Sequence, residues 1–219
     1  MLTALAAQTH PDWDAIVVID GDIDNSEAVV ARYAHLPIRS VVFPENRGRV
    51  AALNAGFAAA VGDVLIRCDD DFEPAPGHVA AHVTPHEQEE CGVVGLPVNV
   101  APPSAYMRAY GSDADRRGHQ DACATPPGLR WRLWGGNVSV TREVYDRVGG
   151  YDPRYRGYGW EDVDFGFRLH RLGAQRRALG GGGQPVRPVD GSGESLHGAR
   201  CGQNLSWTGR LYFAGARPT

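Results

Sequence analysis

Short apolar runs and amphipathic stretches alternate along the first two thirds of the chain. Ala15-Ile16-Val17-Val18-Ile19 is continuous and rich in β-branched residues, the pattern of a strand covered on both faces. Residues 25–35 predict a helix with Val29, Val30 and Tyr33 inward, and Ser40-Val41-Val42-Phe43 a second strand. Over residues 49–61, Val50, Leu53, Phe57 and Val61 share one face of a helix that Gly62 stops. Val64-Leu65-Ile66-Arg67-Cys68 reads as a third strand. This β-α-β-α-β order predicts a parallel sheet with helices on its faces.

The remainder is less regular. Val93-Val94 and Val98-Asn99-Val100 predict short strands, residues 101–130 an irregular polar excursion, and Asn137 to Val140 another strand. Thr141 is placed to cap a helix ending at Gly149-Gly150. Glu161 to Leu172 predicts a further helix with Phe165, Leu169 and Leu172 on one face. Four glycines at 180–183, then Gly191 and Gly193, predict a mobile loop over 180–193 that would serve as a lid. The chain reads as one continuous domain with two halves, 1–100 ending past an aspartate triplet and 101–219 carrying the glycine-rich loop.

Composition narrows the class. A chain of 219 residues suits one domain, and 42% hydrophobic content supports a real core. A net charge of −4 gives no electrostatic case for nucleic acid. There is no lysine, so all 22 basic residues are arginine. That excludes lysine Schiff-base chemistry, a P-loop and a kinase site. Cys68, Cys91, Cys123 and Cys201 are scattered with no C-x-x-C pair, which argues for reduced thiols in a cytoplasmic protein rather than zinc. No secretory signal or membrane span is expected, because no basic segment with an apolar run opens the chain and no long apolar stretch occurs.

The acids are more informative. Asp20 directly follows the first predicted strand, and Asp69, Asp70 and Asp71 directly follow the third. Parallel strands share a direction, so these acids gather at the carboxyl edge of the sheet, where open α/β sheets bind ligands. In an extended segment Asp69 and Asp71 would point to one side. Paired carboxylates suit a hard divalent cation that also takes phosphate oxygens, although aspartate is equally common in solvated turns. Glu161-Asp162 is a second acidic point, and acids in a first helical turn also complement the helix dipole. Gly157-Tyr158-Gly159-Trp160 precedes it and supplies flat walls of the kind that sugars occupy. His197, if the glycine loop folds back on the aspartates, would complete a metal shell.

Arranged in chain order, these segments resemble the family 2 glycosyltransferases of GT-A fold, over roughly residues 1–205. Asp12 to Ser26 is similar to the segment whose aspartate, here Asp20, contacts the nucleotide base. Asn46-Arg47-Gly48 with Ala52-Leu53-Asn54-Ala55-Gly56 resembles the "N-x-G … A-L-N-x-G" helix start, and Asp69-Asp70-Asp71 resembles the D-x-D. Trp134-Gly135-Gly136-Asn137 is similar to the "G-G-N" stretch lining the sugar and acceptor pocket, Gly149-Gly150-Tyr151-Asp152 to "G-G-F-D", and Glu161-Asp162 to the "E-D" motif.

The resemblance implies a Rossmann-like, mostly parallel sheet flanked by helices. It implies inverting transfer from a nucleotide-sugar, UDP- or dTDP- rather than GDP-linked, to a hydroxyl of a glycan, small molecule or lipid-linked sugar. Mn2+ or Mg2+ would sit on Asp69, Asp71 and His197. The nucleotide would lie against Asp20, Asp22, Asn46, Arg47, Gly48, Asp69 and Asp70. Asp162 would be the base, Glu161 would orient a substrate, and Trp134, Gly135, Gly136, Asn137 and Trp160 would line the pocket. The chain departs from the pattern at its start: Leu2 to Gln8 already lies in the family's first helix, without the usual preceding strand. Leu211-Tyr212-Phe213 is the candidate for that strand's place. Two alternatives are a degenerate relative that binds without turnover, and a sugar-nucleotide pyrophosphorylase, which the missing phosphate loop and lysine oppose.

Overall fold

The computed structural model describes residues 1–100, 104–105, 107–157, 159–178, 186–189, 200–202 and 210–216. A short helix α1 (Leu2–Leu5) leads into strand β1 (Trp13–Asp20), helix α2 (Ser26–Ala31), strand β2 (Ile38–Phe43), helix α3 (Arg49–Ala59) and strand β3 (Val64–Asp69). A two-residue strand β4 (Phe72–Glu73), helix α4 (His78–Gln88), and strands β5 (Gly92–Gly95) and β6 (Val98–Val100) follow. Helix α5 (Ser112–Ala124) and a 3-10 turn over Pro127–Leu133 lead to strand β7 (Asn137–Thr141), helix α6 (Arg142–Val148) and helix α7 (Trp160–Ala178). Strands β8 (Val186–Val189), β9 (Arg200–Gly202) and β10 (Arg210–Ala216) complete the set.

The principal sheet has seven strands in the order β2-β1-β10-β3-β7-β5-β8, and β4-β9-β6 form a small second sheet. In the large sheet β1, β2, β3, β5 and β8 run one way, and β7 and β10 run against them. The sheet is therefore mixed, and mostly parallel by strand direction. Strand β10 lies between β1 and β3, pairing Leu211 with Val18 and Asp69 and Phe213 with Ile16 and Arg67. The segment around Leu211-Tyr212-Phe213 thus fills the expected gap, but antiparallel to both neighbours.

Side-chain alternation along β1 and β3 sorts the core into two faces. Ile16, Val18 and Leu65 pack with Val50, Leu53 and Phe57 of α3, Val144 and Tyr145 of α6, and Phe165 and Leu169 of α7. On the other face Ala15, Val17 and Ile19 pack with Leu2, Leu5 and Val30, while Val64 and Ile66 meet Val79 and Val83 of α4. Burying both faces explains why these strands carry unbroken apolar runs.

Several expectations need correction. The region 101–130 is not irregular throughout, since α5 occupies thirteen residues of it. Its composition is polar and its apolar stripe thin, so hydrophobic periodicity could not reveal it. Helix α3 ends at Ala59, with Ala60 extended, so Val61 lies outside it and is 58% exposed rather than inward. Thr141 does cap α6, its hydroxyl accepting from the Val144 N–H at 3.3 Å, and Gly149 ends that helix at φ 89°. Within the expected loop 180–193, residues 186–189 instead form β8 beside β5, while the glycine run 180–183 and Gly191 and Gly193 lie outside the described residues. Among the described residues, no helix is long and apolar enough to cross a membrane.

Candidate functional site

The site grows from the carboxyl ends of β1 and β3. Asp20, on the α3-facing side of β1, is buried and accepts from the backbone N–H of Arg47 at 2.6 Å and of Gly48 at 2.9 Å. The amide of Asn46 donates to the Asp20 carbonyl at 3.3 Å. These residues thus join the end of β1 to the entry of α3, with Gly48 at φ 89° making the turn. Arg47 lays its guanidinium 4.8 Å from the Phe43 ring centroid. The Asp22 carboxylate accepts from the Ser26 N–H at 2.6 Å, at the start of α2. Asp20 and Asp22, two of the four carboxylates expected to meet a nucleotide, therefore bond to backbone N–H groups of the chain itself.

On β3 the same alternation places Leu65, Arg67 and Asp69 on the face toward α3 and α7. Arg67 is fully buried. Its Nε donates to Asp69 Oδ1 at 2.8 Å and its Nη2 to Asp69 Oδ2 at 3.1 Å. On the other side of the same guanidinium, Nη1 donates to Asp162 Oδ1 at 2.5 Å. The Tyr151 hydroxyl lies 3.4 Å from Nη1 and accepts from Trp134 Nε1 at 3.0 Å. Arg49, the first residue of α3, reaches the cluster from above. Its Nη2 lies 2.8 Å from Asp69 Oδ2 and 3.9 Å from Asp162 Oδ2, and its Nε 2.9 Å from Glu161 Oε1.

Two arginines thus hold three carboxylates, Asp69, Glu161 and Asp162, at the meeting of β3, α3 and α7. Burial disfavours the Arg67 charge, but Asp69, Tyr151 and Asp162 more than restore it, and its pKa rises well above the ordinary arginine value. Burial likewise works against the Asp69 carboxylate, and Arg67 and then Arg49 override it, leaving its pKa below the usual aspartate value. The Tyr151 hydroxyl is pushed up to about 12, chiefly by burial.

The carboxylates at 69 and 162, 93 residues apart in sequence, meet on one guanidinium. Other expectations change. Strand β3 ends at Asp69 and Asp70-Asp71 form a turn, so the alternation expected to align Asp69 with Asp71 stops there. Asp71 is exposed and Asp70 half-buried. Glu161 is fully buried, ion-paired to Arg49 and accepting from the Gly159 N–H at 2.7 Å, which leaves it no surface with which to orient a sugar.

Trp134 is a core residue, 4% exposed and stacked on Phe165 at a centroid distance of 5.2 Å, not a pocket wall. Asn137 points to the opposite face of the sheet and binds His82 of α4 at 2.9 Å, away from the acids. Gly136 does belong to the cluster: a Cβ there would come within 2.6 Å of Asp69 Oδ2, so only glycine leaves room for that carboxylate. Gly135, beside it, is half-buried. Trp160 opens α7 next to the acids and is 70% exposed. His197 lies outside the described residues.

Asp69, expected to hold a divalent cation, is not placed to do so. Both Asp69 oxygens already accept guanidinium N–H groups, so a cation placed on them would face two positive charges. Among the described residues no group of three or more His, Cys, Asp or Glu side chains is placed to hold a metal.

Arg49, Arg67 and Tyr151 were not singled out from the sequence. A signal for Arg67 was present, since an arginine inside a strand apolar on both faces must find buried anions. Asn54 of the A-L-N motif has a structural explanation. Its amide donates to the Tyr151 carbonyl at 2.8 Å and its oxygen accepts from the Tyr151 N–H at 2.9 Å, fastening α3 to the loop before α7.

A mixed sheet flanked by helices, with acids from β3 and α7 at its carboxyl edge, is a fold of the GT-A type. The model of "Glycosyl transferase family 2" matches residues 1–149, and one described as the "N-terminal domain of galactosyltransferase" matches residues 124–184. The chain belongs to glycosyltransferase family 2. It is 38% identical over 79 residues to the glycosyltransferase YwdF of Bacillus subtilis, covering 36% of this chain and 29% of that one. Its identity to the validoxylamine A glucosyltransferase of Streptomyces hygroscopicus subsp. jinggangensis is 29% over 201 residues, covering 78% of this chain and 48% of that one. The chain therefore spans less than half the length of either relative. The crystal structure of S. aureus TarS 1-349 in complex with UDP superposes with a TM-score of 0.63 at 13% identity, covering 92% of this chain and 55% of that one. At that identity the likeness is one of fold.

Proposed function

We propose that this protein transfers a sugar from a nucleoside diphosphate donor to an acceptor hydroxyl with inversion, and that Asp162 is the general base. The observation that carries the reading is the placement of Asp162. It sits at the first turn of α7, partly open to solvent, held by Arg67 and flanked by the exposed ring of Trp160. An acceptor hydroxyl is a weak nucleophile, and a carboxylate within hydrogen-bond reach can take its proton as the new bond forms. One base and one displacement invert the anomeric carbon. Trp160 offers an aromatic face on which an acceptor sugar ring can stack.

Asp71 would hold a Mn2+ or Mg2+ ion, with His197 as a second ligand. When bound, the ion would offset the charge on the departing diphosphate. Asp69 serves the site by fixing Arg67 and Arg49. The UDP in the TarS complex and the glucosyl transfer of the Streptomyces relative favour a UDP- or dTDP-sugar as donor, and a glycan, small molecule or lipid-linked sugar as acceptor. A cytoplasmic location accords with scattered cysteines that stay reduced.

The test is a panel of UDP-, dTDP-, GDP- and ADP-sugars screened by thermal shift with Mn2+. Release of nucleoside diphosphate follows, with water and then with validoxylamine A as acceptor probe. Stabilisation and release with a uridine or thymidine donor are expected. Binding without release would favour a non-catalytic binder, and neither would overturn the reading.

A further inference from the structure

We infer that Arg67 is a positioning residue for transfer, fixing the Asp162 carboxylate through one half of its guanidinium while Asp69 fixes the other half. This rests on the reading of Asp162 as the base. Three observations carry it. First, Arg67 is fully buried in the middle of a sheet whose neighbouring positions are apolar, where an arginine is costly unless every N–H finds an anion or hydroxyl. Secondly, Nε and Nη2 are turned to the Asp69 oxygens, a two-point fork that fixes the plane of the guanidinium, and Nη1 then meets Asp162 and Tyr151. Thirdly, Tyr151 is itself fixed, by the Trp134 indole on its hydroxyl and by Asn54 on its backbone, so the last contact in the chain has little freedom.

The consequence is directional. Asp162 lies in the first turn of a helix whose opening residue, Trp160, is exposed, and its carboxylate is tethered at α7 by the backbone and at 3.9 Å by Arg49. Arg67 supplies the closer tether, from a strand in the centre of the sheet. It occupies one Asp162 oxygen at 2.5 Å and stands 3.5 Å from the other. That second oxygen accepts from Arg67 Nη2 and lies 3.9 Å from Arg49 Nη2, so an acceptor hydroxyl would approach a carboxylate whose orientation the two arginines set. A lysine at 67 would retain charge but could not meet Asp69 and Asp162 at once in a fixed plane. The role therefore belongs to the fork, not to the charge alone.

The experiment compares wild type, Arg67→Lys, Arg67→Ala and Asp162→Asn. Turnover is read as UDP release from UDP-glucose, or from whichever panel sugar is turned over fastest. The expected result for Arg67→Lys is a kcat lower by about 10²-fold, the cost of a misplaced reacting group, with the donor KM changed less than about threefold. Arg67→Ala is expected to fall further and to regain kcat in a saturable way on adding millimolar guanidinium chloride. If Arg67→Ala does not fold, the lysine variant, which keeps the buried charge, decides the matter by its kcat and KM alone. A folded Arg67→Lys with wild-type kcat, or one whose loss lies wholly in KM, overturns the positioning role while Asp162→Asn remains inactive. Wild-type turnover in Asp162→Asn overturns the base assignment itself, and the role of Arg67 with it.

Discussion

On the face of the sheet opposite the acids, α4 carries His78, His82 and His86 at successive turns, with His78 against the His82 ring and the other two bonded to β7. His82 Nε2 lies 2.9 Å from Asn137 Oδ1 and its Nδ1 2.9 Å from Ser139 Oγ. His86 Nε2 lies 2.9 Å from the same hydroxyl, and its Nδ1 4.0 Å from Cys91 Sγ. With Asn137 Oδ1 as acceptor and both rings neutral, one set of directions satisfies every group. His82 Nε2 donates to Asn137, Ser139 to His82 Nδ1, His86 Nε2 to Ser139, and the Cys91 thiol to His86 Nδ1. Both histidines are then protonated on Nε2, and neither has a carboxylate among these partners to balance an added proton.

Burial depresses the pKa of His82 to about 4, partly opposed by its bond to Asn137. Burial and the neighbouring His82 depress that of His86 to about 3. The unfolded chain takes up these protons below about pH 6.5 while the folded protein refuses them, so stability is lost as pH falls through that window. At pH 5 the gap below the unfolded value is about 1.5 units, at 1.36 kcal/mol each, or about 2 kcal/mol for His82. Half-buried His86 adds up to as much again. For a chain of this size that is a fall in Tm on the order of 10 °C. Urea unfolding at pH 7, 6 and 5 measures it, and His82→Gln/His86→Gln should remove the share of these two rings, leaving that of buried His78, whose pKa burial also depresses, while lowering stability at every pH. Histidine ring ¹⁵N spectra read the tautomers directly. A wild-type loss below about 1 kcal/mol between pH 7 and 5, or ring protonation of His82 above pH 6, would refute the reasoning.

The remaining expectations concern the site. Asp162→Asn should lose transfer by about 10²–10⁴-fold while donor binding, measured by calorimetry, survives. Asp71→Ala should weaken the Mn2+-dependent part of UDP binding, and an unchanged titration would count against the cation site. Asp69→Asn should act differently, lowering stability by about 3 kcal/mol because Arg67 loses a buried partner, as a denaturant melt would show. Trp160→Ala should leave the melting temperature nearly unchanged, since the ring is 70% exposed, while raising the acceptor KM several-fold. An unchanged acceptor KM would remove Trp160 from the pocket.

Much of the architecture was determined along the chain alone. Unbroken apolar runs at 15–19 and 64–66 require strands covered on both faces, and Thr141 with Gly149 bounds α6 by local hydrogen bonding and backbone geometry. The acids at 20 and 69 could be placed at one sheet edge because strand direction is a local property, while Asp162 was joined to them only through the resemblance to a family. What those acids touch was decided by tertiary structure. Asp69 faces two arginines because alternation on β3 points it toward α3, and β3 ends before Asp71 can share its side. Trp134 and Asn137 carry a pocket-like motif, yet one ring closes the core under α7 and one amide turns to α4. Strand β10 enters between β1 and β3 from the far end of the sequence, a non-local pairing that no periodicity records. Local pattern fixes which way a residue faces, and only the packing of elements fixes what it meets there.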